Sequence, residues 1–114
     1  MVARRGEIWW AALGRPEGSE PGYRRPVVIV QIDEFNESPI QTVVVVALTS
    51  NTRLAQAAGN VLCRPRETGL TKPSVVNASQ VATIDKRRLL ERAGALPGRL
   101  LAEVEDGLRL VLGL

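Results

Sequence analysis

Along most of the chain, apolar and polar positions alternate in short blocks, with no helical period until the C-terminal segment. "GEIWWAAL", Gly6 to Leu13, predicts a first strand holding both tryptophans. "PVVIVQID", Pro26 to Asp33, is β-branched and almost unbroken, which predicts a strand buried on both faces, with proline at the first position where a strand tolerates it. "QTVVVVAL", Gln41 to Leu48, is the strongest strand signal, and "NVLCR", Asn60 to Arg64, alternates as a half-buried strand does. "SVVNASQVATID", Ser74 to Asp85, reads as one strand broken by a polar turn or as two short strands.

Between these blocks, Gly14 to Arg25 and Thr49 to Gly59 read as loops, Glu34 to Ile40 as a turn and Pro65 to Pro73 as another loop. Asp85 is a good cap for one helical turn ahead of a short strand. Pro97 to Leu112 is the long helix, with Leu100, Leu101, Val104, Leu108 and Val111 near one face. Many short strands and a closing helix predict a mainly β chain: one domain over residues 1–114, built as a small, strongly curved sheet or barrel.

Composition narrows the chemistry. The chain carries 15 basic against 12 acidic side chains, a net charge of +3, and its arginine-rich surface points to an acidic partner such as nucleic acid, phosphate or an acidic protein tail. It has no histidine and one cysteine, Cys63. Histidine acid–base chemistry, Ser-His-Asp or Cys-His sites and the usual zinc-ligand sets are therefore excluded within one chain, as is an internal disulfide. Cys63 lies in an alternating segment and reads as a small buried hydrophobe. A basic start without a long apolar region, and no run of membrane-spanning length, lead to the expectation of a soluble protein of the reducing cytoplasm.

Small barrels commonly carry function on loops, because their strands are committed to the core. Arg24 and Arg25 stand directly before Pro26, and Thr49 directly follows Leu48. If those two strands are antiparallel neighbours, Arg25 and Thr49 converge at one edge. Bland readings stand beside this one: a solvated arginine pair shielding a strand end, a threonine opening a turn, a solvent-exposed Glu20, and a capped basic turn at Asp85 to Leu89. If in a strand, Trp9 and Trp10 point to opposite faces, so one of them belongs to the core.

"RGEIWW", "GSEPGYRRPVVIVQ", "VVVVALTSNT" and "VVNASQVATIDKRRL", in that order, resemble the MazF/PemK family of toxin–antitoxin ribonucleases over almost the whole chain. The resemblance implies an SH3-like barrel of the MazF/PemK/CcdB kind, paired into a homodimer. It implies metal-independent, cofactor-free cutting of single-stranded RNA at short sequences, leaving 2′,3′-cyclic phosphate and 5′-hydroxyl ends. It also implies a cognate MazE-like antitoxin whose acidic tail lies along the RNA groove. Carried over, the family's catalytic arginine falls on Arg25, its catalytic threonine on Thr49 and the glutamate of its "GSEQ" loop on Glu20. Pro21 stands where glutamine is common, and Arg24 is an additional arginine.

RNA contacts are expected from Ser19, Arg24, Ser50, Asn51 and Arg53, and from Gln80, for which a structural role is an equal alternative. Two other readings use the same scaffold. A gyrase-directed poison resembling the CcdB branch depends on a tryptophan near the C-terminus, whereas this chain ends in "LVLGL". A non-catalytic RNA-binding barrel is the third.

Overall fold

Val27, Val28 and Ile29 are all fully buried, so the strand that carries them is covered on both faces. That strand lies near the middle of one antiparallel sheet. The computed structural model describes residues 2–15, 17–19 and 23–114. Its strands are β1 (Glu7–Ala12), β2 (Arg24–Ile29), β3 (Thr42–Thr49), β4 (Val61–Cys63), β5 (Ser74–Asp85) and β6 (Leu89–Ala95). They hydrogen-bond in the order β4-β5-β3-β2-β1-β6. Helices α1 (Asp33–Glu37) and α2 (Pro65–Thr68) are short; α3 (Gly98–Leu112) closes the chain.

Period-two alternation sends side chains to two apolar layers. Ile8, Val28, Val46 and Val76 meet Leu100 and Val104 of α3 on one face. Trp9, Val27, Ile29, Val43 and Val45 form the other layer, buried where the sheet curls over it into a half-barrel. Trp9 is core and Trp10 faces the opposite way, half-buried.

Several boundaries differ from the sequence reading. β2 starts two residues before Pro26 and stops at Ile29 rather than Asp33. Gln31 ends it: its side-chain amide donates to Asn36 Oδ1 (2.9 Å) while the Asn36 amide donates to the Gln31 carbonyl (2.9 Å). This buried exchange turns the chain into α1, where a plain turn was expected. The two predicted loops after β3 and β4 hold a 3-10 turn (Thr52–Gln56) and α2. Ser74–Asp85 is one strand with a pronounced bulge. A step of two residues along β3, Val46 to Leu48, is matched by a step of five along β5, Val81 to Val76, so "NASQ" is pushed out of the ladder.

Beyond Asp85, the expected cap is present: Asp85 accepts the Arg87 backbone N–H (2.8 Å) and opens a single 3-10 turn before β6. In α3, Leu100 and Val104 are buried and Leu101 and Leu108 half-buried, but Val111 is exposed because the helix outruns the sheet. Gly107 of α3 is buried against the backbone of Gly59, in the loop leading to β4. The Arg5–Glu105 and Arg99–Glu67 ion pairs tie the helix to the N-terminal segment and to α2.

Cys63 is fully buried, and burial pushes its thiol up to about 11. The reactive thiolate is therefore scarce in the folded protein. A thiol reagent at pH 8 should leave Cys63 untouched in the native protein and label it within minutes in denaturant; rapid native labelling would contradict this packing.

Among the described residues, no helix is long and apolar enough to cross a membrane.

Candidate active site

Arg24 and Arg25 belong to β2 itself. They pair with Ala12 and Ala11 of β1, so one side of their backbone is locked in the sheet. The chain reaches β2 through Tyr23, whose φ of 57° is unusual for a non-glycine residue. This turn is held by the Leu13 N–H donating to the Tyr23 carbonyl (2.7 Å) and by the Tyr23 N–H donating to Gly14. On the other side, the β2–β3 ladder ends at Val27 opposite Ala47. Past that pair the strands part, and a groove opens between them. Continuing the register by two residues brings Arg25 and Thr49 to its facing walls.

Two depressions meet at that point. The larger, about 420 Å³, is bounded by Trp10, Arg24, Arg25, Thr49, Ser50 and Lys72 among others. The smaller, about 160 Å³, is bounded by Ser19, Arg25, Thr49, Asn77 and Gln80, with Leu54 beneath. Arg25, Leu48 and Thr49 line both, so they form the saddle between them.

The two arginines differ in how they are held. Arg24 stacks its guanidinium over the Trp10 ring, 4.7 Å from the centroid, and pairs with Glu91 (2.6 Å). An exposed ion pair of this kind is worth at most about 1 kcal/mol, but with the cation–π contact it gives Arg24 a fixed direction. Arg25 is half-buried and has no hydrogen-bond or ion-pair partner among the described residues. Its planar fork is left for a ligand, and it suits two oxygens of one phosphate.

Thr49 combines the two readings made of it. Its Oγ1 accepts the Asn51 backbone N–H (3.1 Å), as in a side-chain-stabilised turn. That bond uses an oxygen lone pair and leaves the hydroxyl proton free to donate into the groove. Asn51 and Arg53 lie outside both depressions. The Asn51 side chain accepts the Arg53 N–H (3.3 Å) and caps the 3-10 turn, and both residues are exposed. Gln80 reaches the Ser19 carbonyl through its amide nitrogen (3.4 Å), which joins the first loop to the β5 bulge. Glu20 and Pro21 lie outside the described residues.

Several lining residues carried no signal strong enough to single them out. Lys72 is one charge in a Gly/Pro loop, and the sequence does not say which of the two tryptophans leaves the core. Asn77 did have a signal: a polar residue interrupting the apolar "VV…V" of β5, visible as a break in the pattern. Among the described residues, no cluster of three or more acidic or cysteine side chains could hold a metal ion.

Comparison with known proteins identifies the family. The family model for the PemK-like, MazF-like toxin of type II toxin–antitoxin systems matches residues 4–112. Endoribonuclease MazF6 of Mycobacterium tuberculosis and Endoribonuclease MazF2 of Mycobacterium bovis are each 46% identical over 114 residues, covering all of both chains. Among solved structures, MazF from Deinococcus radiodurans superposes with a TM-score of 0.84 at 25% identity, covering 100% of this chain and 99% of that one. A mycobacterial endoribonuclease in complex with its cognate antitoxin gives 0.81 at 25% identity, covering 99% and 97%. On this evidence the chain belongs to the PemK-like, MazF-like toxins of type II toxin–antitoxin systems.

Proposed function

We propose that this chain, an endoribonuclease toxin, cuts single-stranded RNA at the Arg25–Thr49 saddle, using the RNA's own 2′-hydroxyl as nucleophile and no metal. One observation carries the reading: a half-buried guanidinium without a protein partner among the described residues faces a threonine hydroxyl across the gap where β2 and β3 part.

Such a reaction asks little of the protein. The site must align O2′ with phosphorus and the departing 5′-oxygen, and it must stabilise the charge gathering on the non-bridging oxygens. Arg25 can grip two of those oxygens, and Thr49 can donate a third hydrogen bond. Because the sheet holds both, little reorganisation is needed as charge develops. The 2′-oxygen bonds to phosphorus, the bond from phosphorus to the 5′-oxygen breaks, and that oxygen takes up a proton from water, so the products are a cyclic phosphate and a 5′-hydroxyl. Glu20, by its place in the family motif, is the proposed acceptor of the 2′-hydroxyl proton. Arg24, Lys72 and Ser50 form a cationic and polar rim along which the strand runs, and Ser19 and Gln80 meet its bases.

The same rim suits the acidic tail of a cognate antitoxin, which would neutralise the toxin in the cytoplasm by covering the groove. Pairing of two copies is supported by the apolar end of α3, where Leu110, Leu112 and Leu114 are 62%, 53% and 85% exposed.

The test is cleavage of a long mixed-sequence single-stranded RNA in EDTA with end-group analysis. Discrete cuts bearing cyclic phosphate and 5′-hydroxyl ends are expected. Cuts that need a divalent ion, or that leave 5′-phosphates, would overturn the proposed chemistry.

A further inference from the structure

Two amide side chains, Asn77 and Gln80, line the smaller depression, and a third, Asn60, fixes which way Asn77 faces. Asn60 is anchored by backbone groups at both ends of its amide. Its Oδ1 accepts the Ala78 N–H (2.9 Å) and its Nδ2 donates to the Leu54 carbonyl (2.9 Å). A backbone N–H can only donate and a carbonyl can only accept, so this amide has one possible sense. The same Nδ2 lies 3.4 Å from the Asn77 side-chain oxygen, which also accepts the Ser79 hydroxyl (3.2 Å). Asn77 therefore turns its oxygen towards Asn60 and its NH₂ away. That NH₂ has no partner among the described residues, and Asn77 lines the depression beside Arg25 and Thr49.

We infer that this depression is a nucleobase subsite in which the Asn77 amide donates to a keto oxygen of the pyrimidine next to the scissile phosphate. The inference rests on the nuclease reading and adds to it a specificity-determining residue. Size accommodates a single ring: about 160 Å³ is close to the roughly 150 Å³ of a cavity that takes up benzene. Position favours the neighbouring nucleotide, because the depression shares Arg25 and Thr49 with the proposed phosphate site. The bulge in β5 is what delivers the side chain, since it lifts "NASQ" out of the ladder. Asn60 is a positioning residue that acts through Asn77.

The experiment compares wild type with Asn77→Ala, Asn77→Asp and Asn60→Ala on an RNA library randomised around the cut, in EDTA, with thermal melting of each variant. Wild type should prefer a pyrimidine at one position flanking the cut. Asn77→Ala should flatten that preference about tenfold, the worth of one well-made hydrogen bond to a base, and leave preferences elsewhere in place. Asn60→Ala should flatten the same position. Asn77→Asp keeps the oxygen that faces Asn60 but replaces the donor with an acceptor, so it should disfavour the wild-type base; it carries the comparison if the alanine variant folds poorly. Wild-type cutting with a purine on both sides, or an unchanged profile in folded Asn77 variants, would overturn the subsite alone. A wild-type protein that cuts no RNA would overturn the nuclease reading, and the subsite with it.

Discussion

Arg25→Ala should lower kcat/KM for RNA cleavage by about a thousandfold, the scale of losing a preorganised donor aimed at developing charge. The fold should survive, because the side chain makes no hydrogen bond or ion pair with the described residues and its backbone pairing with Ala11 needs no particular side chain. Unfolding free energy should change by about 1 kcal/mol or less, the packing of a half-buried arginine stem. Arg24→Ala provides the contrast. It removes a cation from the rim and a stack on Trp10 worth about 0.5–1 kcal/mol, so cleavage should fall by about tenfold and stability slightly. The comparison assigns the two arginines. If Arg24→Ala were the more damaging to cleavage and Arg25→Ala nearly silent, their roles would be exchanged.

Gly107→Ala should destabilise the protein by about 2 kcal/mol, although helix propensity alone argues the other way. In an open helix, replacing glycine with alanine gains about 1 kcal/mol. Here a Cβ on Gly107 would run into the Gly59 carbonyl, with no flexible side chain to move aside. Gly59 itself has φ +88° and cannot easily retreat. Overpacking of this kind typically costs about 1–3 kcal/mol, and backbone-on-backbone contact lies at the upper end. The effect should reach the groove, because Gly59 directly precedes Asn60, the strut between the 3-10 turn and the β5 bulge. Chemical denaturation checks the sign: a raised midpoint would mean that α3 is not seated against this loop.

The sequence made the strands legible because their patterns are strong. Four consecutive valines in β3, and the β-branched run of β2, have no sensible place outside a sheet core. Boundaries were less legible where a side chain decides them. Nothing in the apolar run of β2 announces that Gln31 will pair with Asn36 and end the strand early. The proximity of Arg25 and Thr49 followed from one assumption, that β2 and β3 are antiparallel neighbours, and the ladder contains that pairing. Which arginine is held by the protein and which is left for a ligand could not be read, since Trp10 and Glu91 are distant in sequence and meet Arg24 only through β1 and β6. The polar break in β5 was visible as an irregularity. Its meaning as a bulge that projects Asn77 depends on Asn60, and that contact exists only in three dimensions.

The central claim is that the RNA supplies its own nucleophile while Arg25 and Thr49 hold the phosphate. The most direct test is one oligonucleotide, matched to a mapped cleavage sequence and carrying a single 2′-deoxy substitution on the nucleotide 5′ to the cut, incubated in EDTA beside its all-ribose counterpart. The all-ribose strand should be cut to a 2′,3′-cyclic phosphate, and the substituted strand should bind but remain whole. Cleavage of the substituted strand at a comparable rate would mean that the nucleophile comes from elsewhere, contradicting the account.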